Sequence, residues 1–517
     1  MNAELIFFNA RTAVFELTGA GRFKTKQPYE LFINGEFYIE SSKAVQSVSD
    51  LKPDTKYLFE IKSGGEIEKI SFHTQKEYVT LEVEKFGAKG DGIQDDTSFI
   101  QTAINCCPKG GRVYIGKGIY KITSLFLKDD LNIELGKDAV LSAFTEKEKF
   151  SIIPGTIESY DETEDYNLGS WEGNPLPTYA SILNGIYVKN VTITGEGTLD
   201  GNGSVDNWWS YKREKGMPFR PKMLFLNHCE NVVVQGITIK NSPSWTLHPY
   251  FSDNLKFIDL KIQNPANSPN TDGMDPESCK NVDIIGVHFT VGDDCIAIKS
   301  GKIYMGAKFK TPCENMLIQN CFMERGHGAV TIGSEMAGGV KNLLVKDCVF
   351  FDTDRGLRIK TRRGRGKDAI LDNIVFEDIE MDEVKTPFVI NNFYFCDPDG
   401  RTWYVRTKEK QPIDERTPEI RSLIFKNIKA YNCHFAAFFL YGLPEQKIRQ
   451  VSLENIEVTY AKNAQAGYPA MMEELEPVSR LGLYANNIEQ LEVKNVIIEG
   501  CDGEPFQVEH VDRYKKE

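Results

Sequence analysis

The chain has 517 residues, of which 41% are hydrophobic, and its formal net charge is −13 at pH 7. Such a diffuse negative field repels polyanions, so nucleic acid and anionic membranes are disfavoured as general partners. No run of about 18 consecutive apolar residues occurs, which excludes a membrane-spanning helix. The opening residues MNAELIFFNARTAVFELTGAG lack the basic, apolar and small-residue regions of a signal peptide, so we expect a cytoplasmic location.

The cysteines argue against a metal or disulfide framework. There are eleven of them, and no two form a CxxC pair. We expect free thiols in a reducing compartment, no metal site and no cofactor. Cys295 follows two aspartates that would raise its thiol pKa, which disfavours it as a nucleophile.

The first 76 residues contain short alternating strands with turn signals between them, a pattern typical of a small β-sandwich. The predicted strands lie at 12–17, 29–35, 56–61 and 69–74. The stretch LKPDTKYLFEI resembles the fibronectin type III signature, in which a tyrosine, here Tyr57, turns the corner into a late strand. We predict a sandwich domain over 1–76 and a second domain over 77–517.

The second domain begins with one predicted helix and continues in strands. Asp95, Asp96 and Thr97 are helix-starting residues before an apolar helical pattern. From residue 109 onward β-branched residues and glycine punctuation indicate a long run of strands.

One phrase then recurs, an asparagine followed by alternating apolar residues. The repeated asparagines are Asn190, Asn231, Asn254, Asn281, Asn315, Asn342 and Asn373. Four successive spacings are 23, 27, 34 and 27 residues. Repeats of this length built from strands, with no helical pattern between them, predict a parallel β-helix in which residues one repeat apart become neighbours.

A polar, aromatic insertion at 146–181 interrupts the early repeats. A loop of that length in a compact domain is usually functional or disordered. Its aromatic residues favour order; they are Tyr160, Tyr166, Trp171 and Tyr179.

The stretch VGDDCIAIKSG places two adjacent carboxylates, Asp293 and Asp294, before an apolar run. Within a strand one of them would be forced into the core, where an unpaired carboxylate is costly. We therefore expect a turn, with Ile296 and Ile298 pointing inward where the strand resumes. By itself this pattern is ordinary turn chemistry.

Other polar residues occupy comparable repeat positions. Asp293 is 12 residues after its repeat asparagine and His327 is 12 after its own, so they are predicted to share a face. Asp272 and Arg358 lie at offsets 18 and 16, which requires inserted loop residues if they join the same ladder. Clustered carboxylates raise at least one pKa, which can keep a general acid protonated near neutral pH.

With these residues assembled, the chain resembles the polygalacturonase family, glycoside hydrolase family 28. The ordered motifs are NTD at 270–272, GDD at 292–294, GHG at 326–328 and RIK at 358–360, supported by LDGNGSVDNWW and SPSWTLHP. The resemblance covers roughly 78–500 and implies an all-β fold, a right-handed parallel β-helix of the pectin-lyase kind, preceded here by the sandwich.

The resemblance also implies roles for the acidic residues. Asp293 would protonate the glycosidic oxygen, while Asp272 and Asp294 would hold and deprotonate the attacking water, with inversion at the anomeric carbon. An inverting mechanism usually separates acid and base by about 6.5–9.5 Å. His327 would bond to the acid and tune it.

The same resemblance assigns Arg358 and Lys360 to the substrate carboxylate, which suits a guanidinium fork. They lie in DRGLRIKTRRGRGKD, where seven of fifteen residues are basic, and we expect Arg363 and Lys367 to belong to a solvated face. Three further residues have weaker assignments. Asn270 would orient the Asp272 loop, Tyr394 would be a late active-site tyrosine, and Trp171 would wall off one end of the cleft.

The sandwich domain and the inserted aromatic loop resemble bacterial exo-polygalacturonases, so we expect attack on α-1,4 galacturonate linkages from a chain end. The expected partner is a pectic oligo- or polysaccharide. Alternatives are endo action, a rhamnogalacturonan hydrolase, or a pectate lyase, which needs Ca²⁺ and a basic catalyst. A further alternative, of another class, is a noncatalytic β-helix that binds acidic glycans.

Overall fold

The computed structural model describes residues 2–158, 165–212 and 214–517, and Tyr160 lies outside them. The all-β fold with a parallel β-helix is confirmed. Among the described residues no helix is long and apolar enough to cross a membrane. All eleven cysteines are free thiols.

The N-terminal strands form two antiparallel sheets that face each other. The first sheet contains Asn2–Phe8, Ala13–Thr18 and Val45–Val48. The second contains Gly21–Arg22, Lys24–Ile33, Glu36–Lys43, Lys56–Ser63 and Glu66–His73. Tyr57 makes the expected corner, since its hydroxyl accepts a hydrogen bond from the Lys52 N–H at 2.9 Å. The boundary at residues 76 and 77 stays a prediction; it falls between His73 and the next strand, which begins at Thr80.

The remaining chain winds through three parallel sheets, here named A, B and C in the order in which each coil visits them. Sheet A contains Leu125–Phe126, Leu183–Ile186, Leu224–Asn227, Leu247–Tyr250, Ile296–Ile298, Val330–Gly333, Arg355–Lys360, Thr386–Asn391 and Ala436–Tyr441. Sheet B contains Thr80–Glu82, Arg112–Ile115, Leu131–Leu135, Lys189–Gly195, Glu230–Gln235, Asp253–Ile258, Lys280–Ile285, Cys313–Gln319, Val340–Lys346 and Glu419–Ile420. Sheet C contains Asp91–Asp95, Gly118–Ile122, Ala139–Ala143, Thr198–Asp200, Thr238–Lys240, Lys261–Gln263, His288–Thr290, Phe322–Glu324 and Val349–Phe351.

In the last coils one strand continues from one sheet into the next. Ile370–Asp382, Ser422–Cys433 and Ile448–Tyr460 run from B into C, Leu481–Glu499 runs from A through B into C, and Phe506–Lys516 runs from A into B. The insertion adds short strands at Ile152–Ile153, Thr156–Ile157, Tyr166–Asn167, Ser170–Trp171, Asn174–Pro175 and Thr178–Tyr179. The α-helices are Thr97–Cys106, Ile303–Phe309 and Trp403–Arg406, and the 3₁₀ helices are Val83–Phe86, Lys147–Lys149, Trp208–Ser210 and Pro398–Arg401. The first α-helix begins where the sequence predicted it, although the Asp96 side chain does not cap it.

The recurring asparagines lie near the start of the sheet B strands, just after the turn from sheet A. All seven have a left-handed backbone, with φ between 51° and 57°, a conformation that asparagine tolerates better than most residues. Their amides bond from coil to coil; the Asn315 amide donates to Asn281 at 3.1 Å and that of Asn342 donates to Asn315 at 3.1 Å. Apolar side chains from all three sheets fill the interior as one continuous core.

The sandwich rests against the side of the β-helix. Val14 and Val45 pack on Ile258 and Ile285 of sheet B, and Lys43 Nζ lies 2.7 Å from Asp259 Oδ1. A small apolar contact with charged edges therefore joins the two parts.

The turn from sheet C to sheet A varies in length and carries the longest insertion. It is five residues long at 291–295, three at 383–385 and two at 434–435, but it extends over 144–182 and 461–480 in two other coils. This edge of the molecule contains the predicted catalytic residues.

Candidate active site

Asp293 and Asp294 lie in the C-to-A turn before Ile296–Ile298, as expected of a turn pair. Ile296 and Ile298 are fully buried in the core. Gly292 allows the preceding coil to approach, because a Cβ there would lie 2.5 Å from the Ser268 carbonyl oxygen. Because Asp293 and Asp294 lie in a turn, their side chains need not point to opposite faces as they would in a strand.

Asp272 lies directly above Asp294 in the preceding coil, and the Gly273 N–H donates to the Asp294 carbonyl at 3.0 Å. One carboxylate oxygen each from Asp272, Asp293 and Asp294 lies within 4.8 Å of the others. Asp272 and Asp294 are 4% and 1% exposed, whereas the Asp293 side chain keeps 24% of its surface. Asp293 is therefore the member open to a ligand.

The nearest oxygens of this cluster lie within 4.8 Å of one another, closer than the about 6.5–9.5 Å expected between the acid and base carboxyl groups as a whole. Stacked coils lie only about 4.8 Å apart, and this spacing sets the distance between side chains on adjacent rungs. A gap of this size still admits a water molecule, because two hydrogen bonds of about 2.7–2.8 Å span roughly 5 Å. A water between Asp272 and Asp294 can thus contact both carboxylates.

The negative charge of the Asp294 carboxylate is balanced by two neighbouring cations. Its two oxygens lie 2.8 Å from Lys360 Nζ and 3.1 Å from Arg358 Nη1. Burial raises the pKa of Asp294, but the charges of Lys360 and Arg358 outweigh burial and hold that pKa well below its usual value. Asp294 therefore stays ionised near neutral pH.

Asp272 has the opposite environment. Burial, followed by the charges of Asp275 and Asp293, raises the pKa of Asp272 well above its usual value, and the Lys299 ammonium offsets only part of this effect. The sequence predicted that clustering would raise at least one carboxyl pKa and so keep the general acid protonated, and Asp272, which was assigned to the water, is one carboxyl with a raised pKa. It is consequently the more basic of the two carboxylates that can hold the water.

His327 lies on the next coil beside Asp293. Its Nδ1 is 3.2 Å from Asp293 Oδ1, the same oxygen that accepts the Asp294 N–H at 3.0 Å. The bond to Asp293 raises the pKa of His327. The predicted neighbour of the acid is therefore in contact with it, and one of the two Asp293 oxygens is held in place.

Arg358 and Lys360 lie on a sheet A strand, beyond the turn, so the offset of Arg358 needs no inserted residues. Both side chains are 11% exposed. Tyr394 lies beside them, with Lys360 Nζ 5.8 Å from its ring centre. These three side chains form one flank of the site.

The loop that precedes Asp272 is fixed from a neighbouring coil. Arg220 donates to Asn270 Oδ1 at 2.7 Å and to the Pro269 carbonyl at 3.1 Å. Asn270 has a left-handed φ of 56°. Asn270 thus links the loop to Arg220, a residue that sequence reasoning missed.

Trp171 lies in a buried stack and does not line an open cleft. It is 3% exposed, and its ring centre is 3.5 Å from that of Phe219 and 4.4 Å from that of Trp245. In this structure it anchors residues 165–180, here called the N-terminal wall. That wall is bonded to Lys222, which lies two residues before the sheet A strand Leu224–Asn227 and donates to the Ser170 carbonyl at 2.8 Å.

The basic run after Arg358 serves structure more than solvation. Arg363 is fully buried and lies 2.5 Å from Glu445, so the prediction of a solvated face is wrong for it. Lys367 is exposed, as predicted, and pairs with Glu415 at 2.7 Å. Within this basic run, Arg363 is thus buried and Lys367 is exposed.

Sequence reasoning also missed a buried charged group below the aspartates. Asp275 is fully buried 3.5 Å from Lys299 Nζ, which lies 3.1 Å from Glu335. Burial raises the pKa of Asp275 well above its usual value. Alternation could have located Lys299, because inward Ile296 and Ile298 leave the odd-numbered positions facing outward.

Comparison with known proteins places this geometry in context. The family described as "Glycosyl hydrolases family 28" matches residues 159–470. A probable polygalacturonase of Vitis vinifera is 29% identical over 388 residues, covering 73% of this chain and 74% of that protein.

Two solved structures also resemble the chain. A hyperthermoactive exopolygalacturonase of Thermotoga maritima has a TM-score of 0.64 at 25% identity, covering 82% of this chain and 93% of that one. A family 28 exopolygalacturonase of Yersinia enterocolitica has a TM-score of 0.72 at 19% identity, covering 99% and 98%. The second match includes the sandwich, so it supports the fold of the whole chain.

Proposed function

Because the chain belongs to family 28 of the glycosyl hydrolases, we propose that it hydrolyses the α-1,4 linkages of galacturonate chains, with inversion and from a chain end. The observation that carries this proposal is the cluster of three aspartates beside Arg358 and Lys360. A galacturonate chain carries one carboxylate per sugar, and these two cations are chemically suited to it.

Asp293 is the general acid in this proposal. It is the most exposed of the three aspartates, and His327 and the Asp294 N–H hold one of its oxygens. The partial exposure lets the carboxyl reach a glycosidic oxygen, while the two contacts fix its orientation.

Asp272 and Asp294 divide the work on the attacking water. Asp294 is a permanent anion that orients the water, since Lys360 and Arg358 keep its pKa low after the opposing effect of burial. Asp272 has a raised pKa, chiefly through burial, so it is the better acceptor of the proton that the water releases. The two roles follow from their different neighbours.

Attack from a chain end is supported by the N-terminal wall. Its segment 165–180 covers sheet A on the N-terminal side of the site, where Asn227 donates to the carbonyls of Asn167 and Leu168 at 2.8 and 2.9 Å. Because the surface of sheet A is covered there, no continuous channel for a polymer remains on that side of the site. The similarity to an exopolygalacturonase at 25% identity favours the same mode.

Product analysis on trigalacturonate and polygalacturonate tests the proposal. We expect one short product at early times, with inverted anomeric configuration by ¹H NMR, and no product absorbing near 235 nm. A ladder of sizes would contradict chain-end attack. An unsaturated product, or loss of activity in chelator, would indicate a lyase, and no cleavage of either substrate would contradict the hydrolase.

A further inference from the structure

One C-to-A turn on the C-terminal side of the site is much longer than its neighbours. The turn between Ile448–Tyr460 and Leu481–Glu499 comprises residues 461–480, whereas the two preceding coils use two and three residues there. At its base Gly467 and Val478 form an antiparallel bridge, with N–H to carbonyl distances of 3.0 and 2.9 Å. We call residues 467–478 the C-terminal wall.

The C-terminal wall reaches back over several coils to the strand that contains Arg358. Arg355 donates to the Pro469 carbonyl at 2.9 Å and to the Tyr468 carbonyl at 2.7 Å. Asn391 donates to the Met471 carbonyl at 3.0 Å. These bonds fix the segment against the substrate side of sheet A.

Met471 occupies part of the surface of a predicted substrate-binding residue. Its sulfur lies 2.8 Å from Arg358 Nη2, while Arg358 Nη1 is bonded to Asp294. A thioether is a weak acceptor, so this contact leaves the guanidinium without a strong partner on that side. The Met471 side chain nevertheless fills the space next to Nη2, so a substrate carboxylate cannot approach Arg358 from the Met471 side while Met471 is in place.

Beyond Arg358 the floor of the site is covered. The same row of sheet A continues with Val389 and Phe439, which are 2% and 3% exposed and pack with Ala470 and Met472 of the C-terminal wall. An uncharged, covered row offers no partner to a sugar carboxylate.

The outer surface of the C-terminal wall is acidic. It carries Glu473, Glu474 and Glu476; Arg406 lies 3.4 Å from Glu473, and Glu474 and Glu476 are exposed. A polyanion that continued over the wall would meet these like charges.

From these contacts we propose that the C-terminal wall closes the site beyond Arg358 and restricts the substrate to short oligogalacturonates. This rests on the proposed function and names its substrate class. Together with the N-terminal wall it makes the site a pocket bounded on both sides. Met471 is then a specificity-determining residue, since it delimits Arg358 directly.

The test compares kcat/KM for octagalacturonate with kcat/KM for trigalacturonate. The protein as it stands is expected to prefer the trimer. Replacing residues 468–477 by two glycines between the bridged Gly467 and Val478 should raise the octamer-to-trimer ratio at least about tenfold, because steric exclusion in a binding site is worth 10-fold or more. Met471→Ala should raise it in the same direction but by less.

Met472→Ala is the matched control, because Met472 is a neighbouring methionine that packs on the apolar row and is not bonded to Arg358. It should lower the melting temperature and leave the ratio unchanged. Equal kcat/KM values for octamer and trimer in the unaltered protein would overturn the proposed role of the wall. So would an octamer-to-trimer ratio that Met471→Ala leaves unchanged in a variant with native circular dichroism. If the protein does not cleave the trimer at all, both the proposed function and the proposed role of the wall are overturned. If it cleaves the trimer but the octamer-to-trimer ratio does not change in the variants, only the role of the wall is overturned.

Discussion

Two of the three turns in each coil of the β-helix differ greatly in character. The A-to-B turn repeats one device, an asparagine with left-handed φ whose amide bonds to the next coil. The C-to-A turn ranges from two residues at 434–435 to thirty-nine at 144–182, and in one coil it holds Asp293 and Asp294. The asparagine position is therefore regular from coil to coil, whereas the length of the C-to-A turn is free to vary.

The difference shows how this fold separates stability from chemistry. The asparagine side chains are neutral and hydrogen-bond to one another between adjacent coils. Each added coil therefore extends this ladder at little cost in free energy. The variable turn brings charged groups from several coils together, and their pKa values then depend on neighbours far away in the sequence. Five predictions test this contrast.

The largest effect is expected for Asp293→Asn. Loss of the general acid should lower kcat by roughly 10²-fold to 10⁴-fold, while the fold stays intact because the side chain is 24% exposed. Steady-state kinetics on trigalacturonate measure this. Asp283→Asn on sheet B is the control and should leave kcat unchanged; equal kinetics for the two variants would remove Asp293 from the mechanism.

Asp294→Asn should strongly destabilise the protein. It leaves Lys360 and Arg358 buried without their carboxylate, a change that typically costs about 3–5 kcal/mol of unfolding free energy. Because the pKa of Asp294 is lowered in the folded state, its contribution is present above the unfolded pKa of about 4 and is lost as pH falls through the folded pKa. Urea unfolding between pH 7 and pH 3 should show a difference that shrinks in acid.

Asp272→Asn should change the free energy of unfolding in the opposite direction from Asp294→Asn. A raised folded pKa means that the native protein loses stability as pH rises from the unfolded pKa of about 4 towards the folded value. Replacing the carboxyl removes this loss, so unfolding free energy at pH 7 should rise by about 1 kcal/mol or more while kcat falls. A destabilised Asp272→Asn protein at pH 7 would contradict the electrostatic contrast with Asp294.

At the regular turn, Asn315→Ala should lower unfolding free energy by about 1–2 kcal/mol, since alanine disfavours the left-handed backbone and breaks the ladder bonds. Activity should be unchanged. Asn315→Gly keeps the backbone conformation accessible and should cost less, and a greater loss for glycine would refute the role of φ. Thermal melts and trimer kinetics measure both quantities.

The smallest effect concerns His327. Its pKa is raised chiefly by the bond to Asp293, so Asp293→Asn should lower it towards the usual value of about 6.5. Titration of the imidazole signal by NMR follows this shift. A pKa that does not move in the variant would separate His327 from the acid.

Local pattern was sufficient for much of the fold and for the positions of the site residues. Alternating apolar residues after a repeated asparagine predicted the stacked coils, because strand periodicity and the αL turn are properties of neighbouring residues. The turn at Asp293 and Asp294 followed from the cost of burying a carboxylate. The ordered motifs supplied His327, Arg358 and Lys360.

Tertiary structure alone decided the properties that depend on distance. Arg363 is buried because Glu445, 82 residues later, folds against it, and Arg358 is delimited by Met471, 113 residues away. Asp272 and Asp294 are the same residue type on adjacent rungs, yet their pKa values move in opposite directions. The sequence by itself determines which side chains each coil presents; the stacking of the coils and the folding of the two walls decide their spacing, desolvation and access, because these depend on groups that are remote along the chain.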